Sequence, residues 1–269
     1  MFTPYAKPDL FDQLRPLVDQ IRVLGEIDST NDEARRAIMS GFTGSNLILA
    51  NTQSSGRGRR GRKWVSPAGG IYMSLTLPLH ESLTQPQALS LVSAISVKQS
   101  LESWSQAPIK LKWPNDLLVE GKKLAGILLE LQTSEPTGHI VFGVGINYSL
   151  THAQKERIDR EVADVREITE KLPAREEIIV SICINLIENA RKFFNQGFDP
   201  FKRIWNASDY YLGSNIVIKS GKLEKIGKSL GVNGKADLII ESDLGQELIS
   251  NGEIYFDLKE SRRSFDGGT

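Results

Sequence analysis

The sequence has a single cysteine, Cys183, few histidines, and no surplus of either charge. One cysteine excludes an internal disulfide and a Cys-cluster metal site, and fits a reducing, cytoplasmic setting. It lies in IIVSICINLIE, where a small core residue is the ordinary reading. His80, His139 and His152 form no spaced pair, which argues against a His-ligated zinc. Lys and Arg number 33 and so do Asp and Glu, so the net charge is zero. Global electrostatics then favour neither a nucleic-acid nor a membrane partner, and any charge-based function needs local clusters. No stretch approaches the ~18 uncharged apolar residues of a membrane span. The first residues, MFTPYAKPDLFDQLRP, lack the basic segment and apolar core of a secretory signal.

What is present is a globular chain of 269 residues, 40% hydrophobic and 25% charged. That length suits one large unit with a smaller one. IRVLGEI (21–27), NLILANT (46–52) and IYMSLTL (71–77) read as strands. Residues 31–40 read as a helix with a capping box from Thr30 to Glu33 and a stop at Gly41. Helical spacing recurs at Leu89, Val92, Ile95, Val97 and Leu101, again over 175–195, and over 199–211. IKLKW (109–113) is a strand halted by Pro114, followed by a hairpin through a Gly121-Lys122 turn and a strand over 139–150. From Gly213 short strands alternate with Gly, Asn and Asp turns, the texture of a small five-stranded barrel. The predicted division is 1–212, 213–258 and a flexible tail, 259–269.

The most unusual segment is Gly56-Arg57-Gly58-Arg59-Arg60-Gly61-Arg62-Lys63-Trp64, inside the irregular stretch 53–70. Five cations in seven residues repel one another when unpaired and keep such a loop open, and an anion folds it. Glycine permits tight curvature and arginine supplies forked donors to phosphate or carboxylate. The Walker pattern GxxxxGK[ST] is absent. Three readings stand: a phosphate lid, a single-stranded nucleic-acid contact, or a solvated charge run.

A second cluster, Lys112-Trp113-Pro114-Asn115-Asp116, closes one strand and opens the next. Asp116 there is either a turn residue or a Mg²⁺ ligand shared with phosphate oxygens. Lys123 stands at the mouth of an apolar strand, where a lysine points either to solvent or into a pocket. Gly126, Gly143 and Gly145 lie within strands, which implies a flat ligand on the sheet or bulges. Asn147 is placed to read a nucleotide edge.

Taken together, DSTN (28–31), QSSGRGRRGRKW (53–64), KWPND (112–116), KKLAGILLE (122–130) and GVGIN (143–147) resemble the biotin–protein ligase family, with SNGEIYF (250–256) resembling its C-terminal module. The resemblance covers residues 20–258. It implies an α+β fold: a class II synthetase-like catalytic domain, a mixed sheet with helices on one side, then a small SH3-like barrel. It implies an enzyme that forms biotinyl-5′-AMP from biotin and ATP with Mg²⁺. The biotinyl group then passes to a lysine of a biotin carboxyl carrier protein or domain of a carboxylase. By the same resemblance, Ser29, Thr30, Asn31 and Gln53 hold the ureido ring, and Gly126 and Leu128 form the pocket floor. Gly56, Arg57, Gly58 and Arg59 close over the ligand, with Arg57 and Arg59 on its carboxylate and α-phosphate. Arg62 meets phosphate, Trp64 stacks adenine, Asn147 contacts the nucleotide, and Lys123 stabilises charge at the reacting centre. Asp116 is the implied metal carboxylate.

Some relatives carry an N-terminal DNA-binding domain. About 20 residues precede the first strand here, so the monofunctional type is expected, with no sequence-specific nucleic-acid binding and a monomeric or homodimeric state. Tyr148 and Asn233 depart from the commoner pattern. The rivals are a lipoate or octanoyl ligase or transferase of the same fold, a nucleic-acid binder using the basic loop, and a non-catalytic biotin binder. The arginine-rich loop opposes the first, zero net charge the second, and retention of Lys123 the third.

Overall fold

The computed structural model describes residues 7–80, 83, 85–133, 138–220 and 223–257. Seven strands among them form one mixed sheet. They are β1 (Gln20–Ile27), β2 (Asn46–Gln53), β3 (Gly70–Pro78), β4 (Lys110–Lys112), β5 (Asp116–Val119), β6 (Lys122–Gln132) and β7 (His139–Asn147), in the order β1-β2-β3-β7-β6-β5-β4. Only β1 and β2 pair parallel, across the connection that holds α1 (Thr30–Met39).

Strand alternation gives the sheet two different faces. Leu47, Leu49, Ile71, Met73, Leu75, Ile127, Val144 and Ile146 belong to the main core. Helix α2 (Pro86–Glu102) packs on that core, and α5 (Arg175–Gln196) packs on α2. Being enclosed on both sides, α2 is apolar nearly all round, and its Ser93, Ser96 and Ser100 hydroxyls bond back to carbonyls four residues earlier. On the opposite face α1 packs through Ala34 and Ile38 onto Ile48 and Val141. The larger helices therefore lie on one side, as the family likeness implies, while α1 shares the other face with the ligand cleft.

Several local readings are corrected. Ser29, not Thr30, caps α1, accepting from the Asp32 N–H. The Thr30 hydroxyl instead donates toward Gln53 Oε1. Gly41 does sit past the helix end at φ +94, where glycine is favoured. The β5–β6 turn is Glu120-Gly121, with φ of 51 and 79, one residue earlier than read. Residues 151–174 hold two short helices, α3 (His152–Lys155) and α4 (Val165–Ile168), each with a capping box.

Beyond α6 (Asp199–Ser208) come β8 (Asn215–Ser220), β9 (Leu223–Val232), β10 (Leu238–Ser242), β11 (Gly245–Ile249) and β12 (Glu253–Asp257). They pair antiparallel in the order β11-β10-β9-β8-β12. Among the described residues no pairing joins β11 to β12, so the small barrel read from the sequence is a five-stranded antiparallel sheet open at one seam. Its Ile216, Ile218, Val232, Leu238, Ile240 and Ile254 belong to the same core as Phe201 and Trp205 of α6. Asn206 of α6 ties that helix to β9, its amide accepting from Val232 N at 2.9 Å and donating to Val232 O at 3.3 Å. Asn233 closes the next turn by accepting from Lys235 N and Asp237 N. The predicted tail, 259–269, lies outside the described residues.

Asp209, just after α6, accepts from Tyr211 N at 2.9 Å and leaves Oδ2 buried without a partner. Burial pushes its pKa up from 3.8 to about 6. A raised acid favours the protonated form in the fold, so this group stabilises the fold at low pH. That contribution is lost as pH rises from about 4 through about 6. The Asp209→Asn variant is expected to lose this dependence. Paired melting curves of the two proteins at pH 4.5 and 7.5 should show the variant gaining relative stability at the higher pH.

Candidate active site

The cleft opens on the α1 face of the sheet and encloses about 990 Å³, its mouth included. Its floor follows from strand register. Asp116, Gly126, Gly145 and Tyr72 form one cross-strand row, and Leu128, Gly143 and Ser74 the next. Glycines leave the middle of this floor flat. The flat group lying there is the protein's own Trp64: a Cβ on Gly145 would stand 2.6 Å from its indole, and one on Gly126 would stand 3.0 Å away. Gly143 makes room for Asn31, whose Oδ1 would be 2.2 Å from a Cβ there. The strand glycines thus accommodate these two side chains.

A bulge between Leu117 and Leu118 shifts the β5–β6 register. Without it Lys123 and Gly126, three residues apart, would face opposite ways. With it the Lys123 side chain lies over the floor, with Nζ 2.8 Å from Asp116 Oδ1 and 5.0 Å from the Trp64 ring centroid. Leu124 meanwhile enters the core.

The basic loop is not the open, self-repelling segment that its composition predicts. Backbone bonds Gly58 N to Arg62 O, at 2.8 Å, and Trp64 N to Gly56 O, at 2.9 Å, fold it into a narrow hairpin. Arg60 and Gly61 turn its tip at φ 55 and 73. Gly56 lies under the hairpin rather than on the cleft wall, because a Cβ there would sit 2.5 Å from Ser66 Oγ and Trp64 O. Most of the arginines have protein partners. Arg57 forks onto Glu130 at 3.0 and 2.9 Å and reaches Asp32 at 3.0 Å. Arg60 bonds Lys219 O and Asn251 Oδ1, and Arg62 pairs with Glu253 of β12. Arg59 differs: it is half-buried in the cleft, with only a long 3.5 Å contact to Asn115 Oδ1 and no carboxylate partner among the described residues. Burial and the neighbouring Arg60 and Arg62 lower its pKa, Asp116 only partly offsetting them. Burial also works against the Arg57 charge, but Glu130 and Asp32 outweigh it and raise that pKa.

Ser29, Thr30, Asn31 and Gln53 come together at one end, with Gly58, Arg59, Arg62, Trp64, Asp116, Lys123, Gly126, Leu128 and Asn147 around the rest. Thr30 N donates to Gln53 Oε1 at 2.8 Å, and Ser74 Oγ lies 2.8 Å from Thr30 Oγ1 and 2.6 Å from Asn31 Oδ1. Asn147 spends both amide hydrogens on Lys123 O and Ala163 O, which leaves only its carbonyl oxygen for a ligand. Sequence reading missed Ser74, Glu130, Glu253 and the wall formed by Ile158, Asp159, Arg160 and Val162. Among the described residues no three metal-ligating acidic, His or Cys side chains gather, so Asp116 is not part of a preformed metal cage.

Gly145→Ala tests the flat floor. Displacing the indole by overpacking costs ~1–3 kcal/mol, so ligand affinity should fall about tenfold or more. Titration of the variant with the acid substrate, with melting curves as control, checks this.

A mixed sheet with a cation-lined cleft and a basic hairpin over its floor defines an enzyme that binds an anionic ligand and handles phosphate. Residues 25–147 match the Biotin/lipoate A/B protein ligase family. The chain is 32% identical over 240 residues to a biotin--[acetyl-CoA-carboxylase] ligase of Paracoccus denitrificans, covering 87% of this chain and 99% of that one. It is 31% identical over 226 residues to the bifunctional ligase/repressor BirA of Escherichia coli, covering 83% of this chain and 70% of that one. Among solved structures, biotin protein ligase from Aquifex aeolicus in complex with biotin and ATP superposes with TM-score 0.76 at 31% identity, covering 88% of this chain and 97% of that one. The chain belongs to this family, among its biotin protein ligases.

Proposed function

We infer that the protein activates biotin with ATP and transfers it to a carboxylase carrier. In the first step a biotin carboxylate oxygen attacks the α-phosphorus and pyrophosphate leaves. In the second a carrier lysine amine attacks the acyl carbon and AMP leaves. The observation that carries this reading is the pair Arg59 and Lys123, two cations facing one cleft above a glycine floor, with Arg59 lacking a carboxylate partner among the described residues.

Ser29, Thr30, Asn31 and Gln53 bind the ureido ring. A site built from hydrogen-bonding groups rejects analogues that lack theirs. Gly126 and Leu128 form the floor. Arg59 meets the biotin carboxylate and α-phosphate, while Arg57 anchors the loop through its own carboxylate partners. Arg62 exchanges Glu253 for phosphate, Trp64 offers its flat surface to adenine, and Lys123 stabilises charge developing on the phosphate. Asn147 contacts the nucleotide through its carbonyl. Gly56 and Gly58 let the hairpin close. A Mg²⁺ ion accompanying ATP would be held here by Asp116. One protein carboxylate, Asp116, suits an ion held mostly by substrate phosphates and water, and the ion supplies charge neutralisation. We assign residues 1–212 to catalysis and 213–258 to the smaller module. The carrier is a biotin carboxyl carrier domain in the cytoplasm, and the enzyme acts as a monomer or homodimer without sequence-specific nucleic acid.

The test is pyrophosphate release from ATP and Mg²⁺ with biotin, in parallel with lipoate, plus the mass of a biotin-carrier domain. Biotin-dependent release with one biotinyl group gained supports the ligase. Release with lipoate alone favours the rival acid, and release with neither overturns the enzymatic reading.

A further inference from the structure

Glu130 ends the KKLAGILLE stretch, four residues beyond Gly126, so strand parity places it on the cleft face. Its carboxylate is a meeting point of two parts of the site. Oε1 accepts from Arg57 Nη1 at 3.0 Å, and Oε2 accepts from Arg57 Nη2 at 2.9 Å and from Asn31 Nδ2 at 2.7 Å. Arg57 opens the basic hairpin. Asn31 stands in the first turn of α1, 4% exposed, beside Thr30 and Ser74. We propose that Glu130 is a positioning residue that couples recognition of the biotin ring to the seating of the basic hairpin. The proposal rests on the biotin-ligase reading above.

The chemistry is one of fixed polarity. A carboxylate only accepts, so it forces the Asn31 amide to present Nδ2 toward β6 and Oδ1 toward the Ser74 hydroxyl. With that direction set, the hydrogen-bonding pattern offered to a ureido ring is set too. If that acceptor is lost, only the long 3.4 Å contact from Nδ2 to Leu128 O opposes rotation of the amide by half a turn, which would present its groups reversed. The same carboxylate holds Arg57 in a planar fork, the geometry that gives an arginine–carboxylate pair its directionality. Asp32 also reaches Arg57, at 3.0 Å, but through a single nitrogen. Losing Glu130 therefore leaves the hairpin tethered by one contact in place of a fork, and leaves the ring pocket without its fixed donor. A ligand that holds Asn31 in place keeps the Glu130 carboxylate in place, and a fixed carboxylate keeps the Arg57 fork seated.

Glu130→Gln changes shape least and is the informative variant. Its amide nitrogen faces Arg57 whichever way it turns, a donor against a donor, and in one of the two orientations it faces Asn31 as well. Three readouts are measured with biotin, ATP and Mg²⁺: KM for biotin, kcat for pyrophosphate release, and the lifetime of biotinyl-AMP on the enzyme by rapid gel filtration. Expected are a biotin KM at least about tenfold higher and a comparably shortened lifetime, the scale of a lost hydrogen bond to a charged group. The change in kcat should be several-fold smaller. Glu130→Asp, which keeps the charge, should recover part of both losses. In an Arg57→Ala background, Glu130→Gln should no longer affect the lifetime, because its amide oxygen is then free to turn to Asn31. A folded Glu130→Gln protein with wild-type KM and lifetime overturns the proposal, as does an unchanged lifetime effect in the Arg57→Ala background. If the unaltered enzyme releases no biotin-dependent pyrophosphate, the ligase reading itself fails instead.

Discussion

Lys123→Ala is expected to lower kcat for biotin-dependent pyrophosphate release about 100- to 1000-fold, the effect of removing one preorganised group from a developing charge. The ammonium is mostly buried, and Asp116 and the Trp64 ring hold it in place. Such a cation needs no reorganisation when negative charge moves onto the α-phosphate. Its removal has a second consequence, because the Asp116 carboxylate, itself 15% exposed, then faces the incoming polyphosphate unpaired. The single variant should accordingly raise the KM for ATP as well as lower kcat. Lys123→Ala combined with Asp116→Asn separates the two effects. The double variant, assayed at saturating Mg²⁺ so that loss of the Asp116 carboxylate assigned to the ion does not mask it, is expected to recover the ATP affinity lost to repulsion while kcat stays low. Steady-state pyrophosphate release, with melting curves for fold integrity, reads both quantities. A kcat within about threefold of the unaltered enzyme would remove Lys123 from the chemistry.

Most elements were legible because their signals are local. Helix α5 and strands β2, β3 and β7 emerge from spacing and from apolar runs bounded by turn residues. What stayed hidden depends on partners distant in sequence. Thr30 has the spacing of a capping box, yet its hydroxyl turns to Gln53 and Ser74 while Ser29 takes the cap. The β5–β6 turn was misplaced by one residue because Glu120, an unlikely residue for positive φ, adopts it. The basic hairpin reads as self-repelling from composition alone. Its carboxylates, Asp32, Glu130 and Glu253, come from three remote segments, one of them in the C-terminal module. The strand glycines read as room for a flat ligand or as bulges, whereas Gly126 and Gly145 face Trp64 and Gly143 faces Asn31. Glu130 shares the parity of Gly126 and Leu128, so its face was readable. The wall at 158–162 carries no periodicity or motif, and backbone ties to Lys123 bring it to the cleft.

Arg59→Gly is expected to turn a retained intermediate into a released one. Arg57, Arg60 and Arg62 are engaged by protein groups, and the hairpin is closed by its own backbone bonds at Gly58 and Trp64. Removing Arg59 therefore leaves the loop folded and takes away the half-buried cation that has only a long contact to Asn115. Adenylate formation, which Lys123 still supports, should fall by no more than about tenfold, whereas the lifetime of biotinyl-AMP on the enzyme should shorten about 10- to 100-fold, the range for a hydrogen bond to a charged group. Free acyl-adenylate acylates amines without selection, so pyrophosphate release should outrun carrier biotinylation and bystander lysines should gain biotinyl mass. Arg59→Lys keeps the charge and loses the fork, and should restore only part of the retention. Rapid gel filtration of preformed enzyme–adenylate, with mass spectrometry of an added bystander protein, measures both consequences. An unchanged lifetime in Arg59→Gly would mean that the hairpin retains the intermediate by steric closure alone.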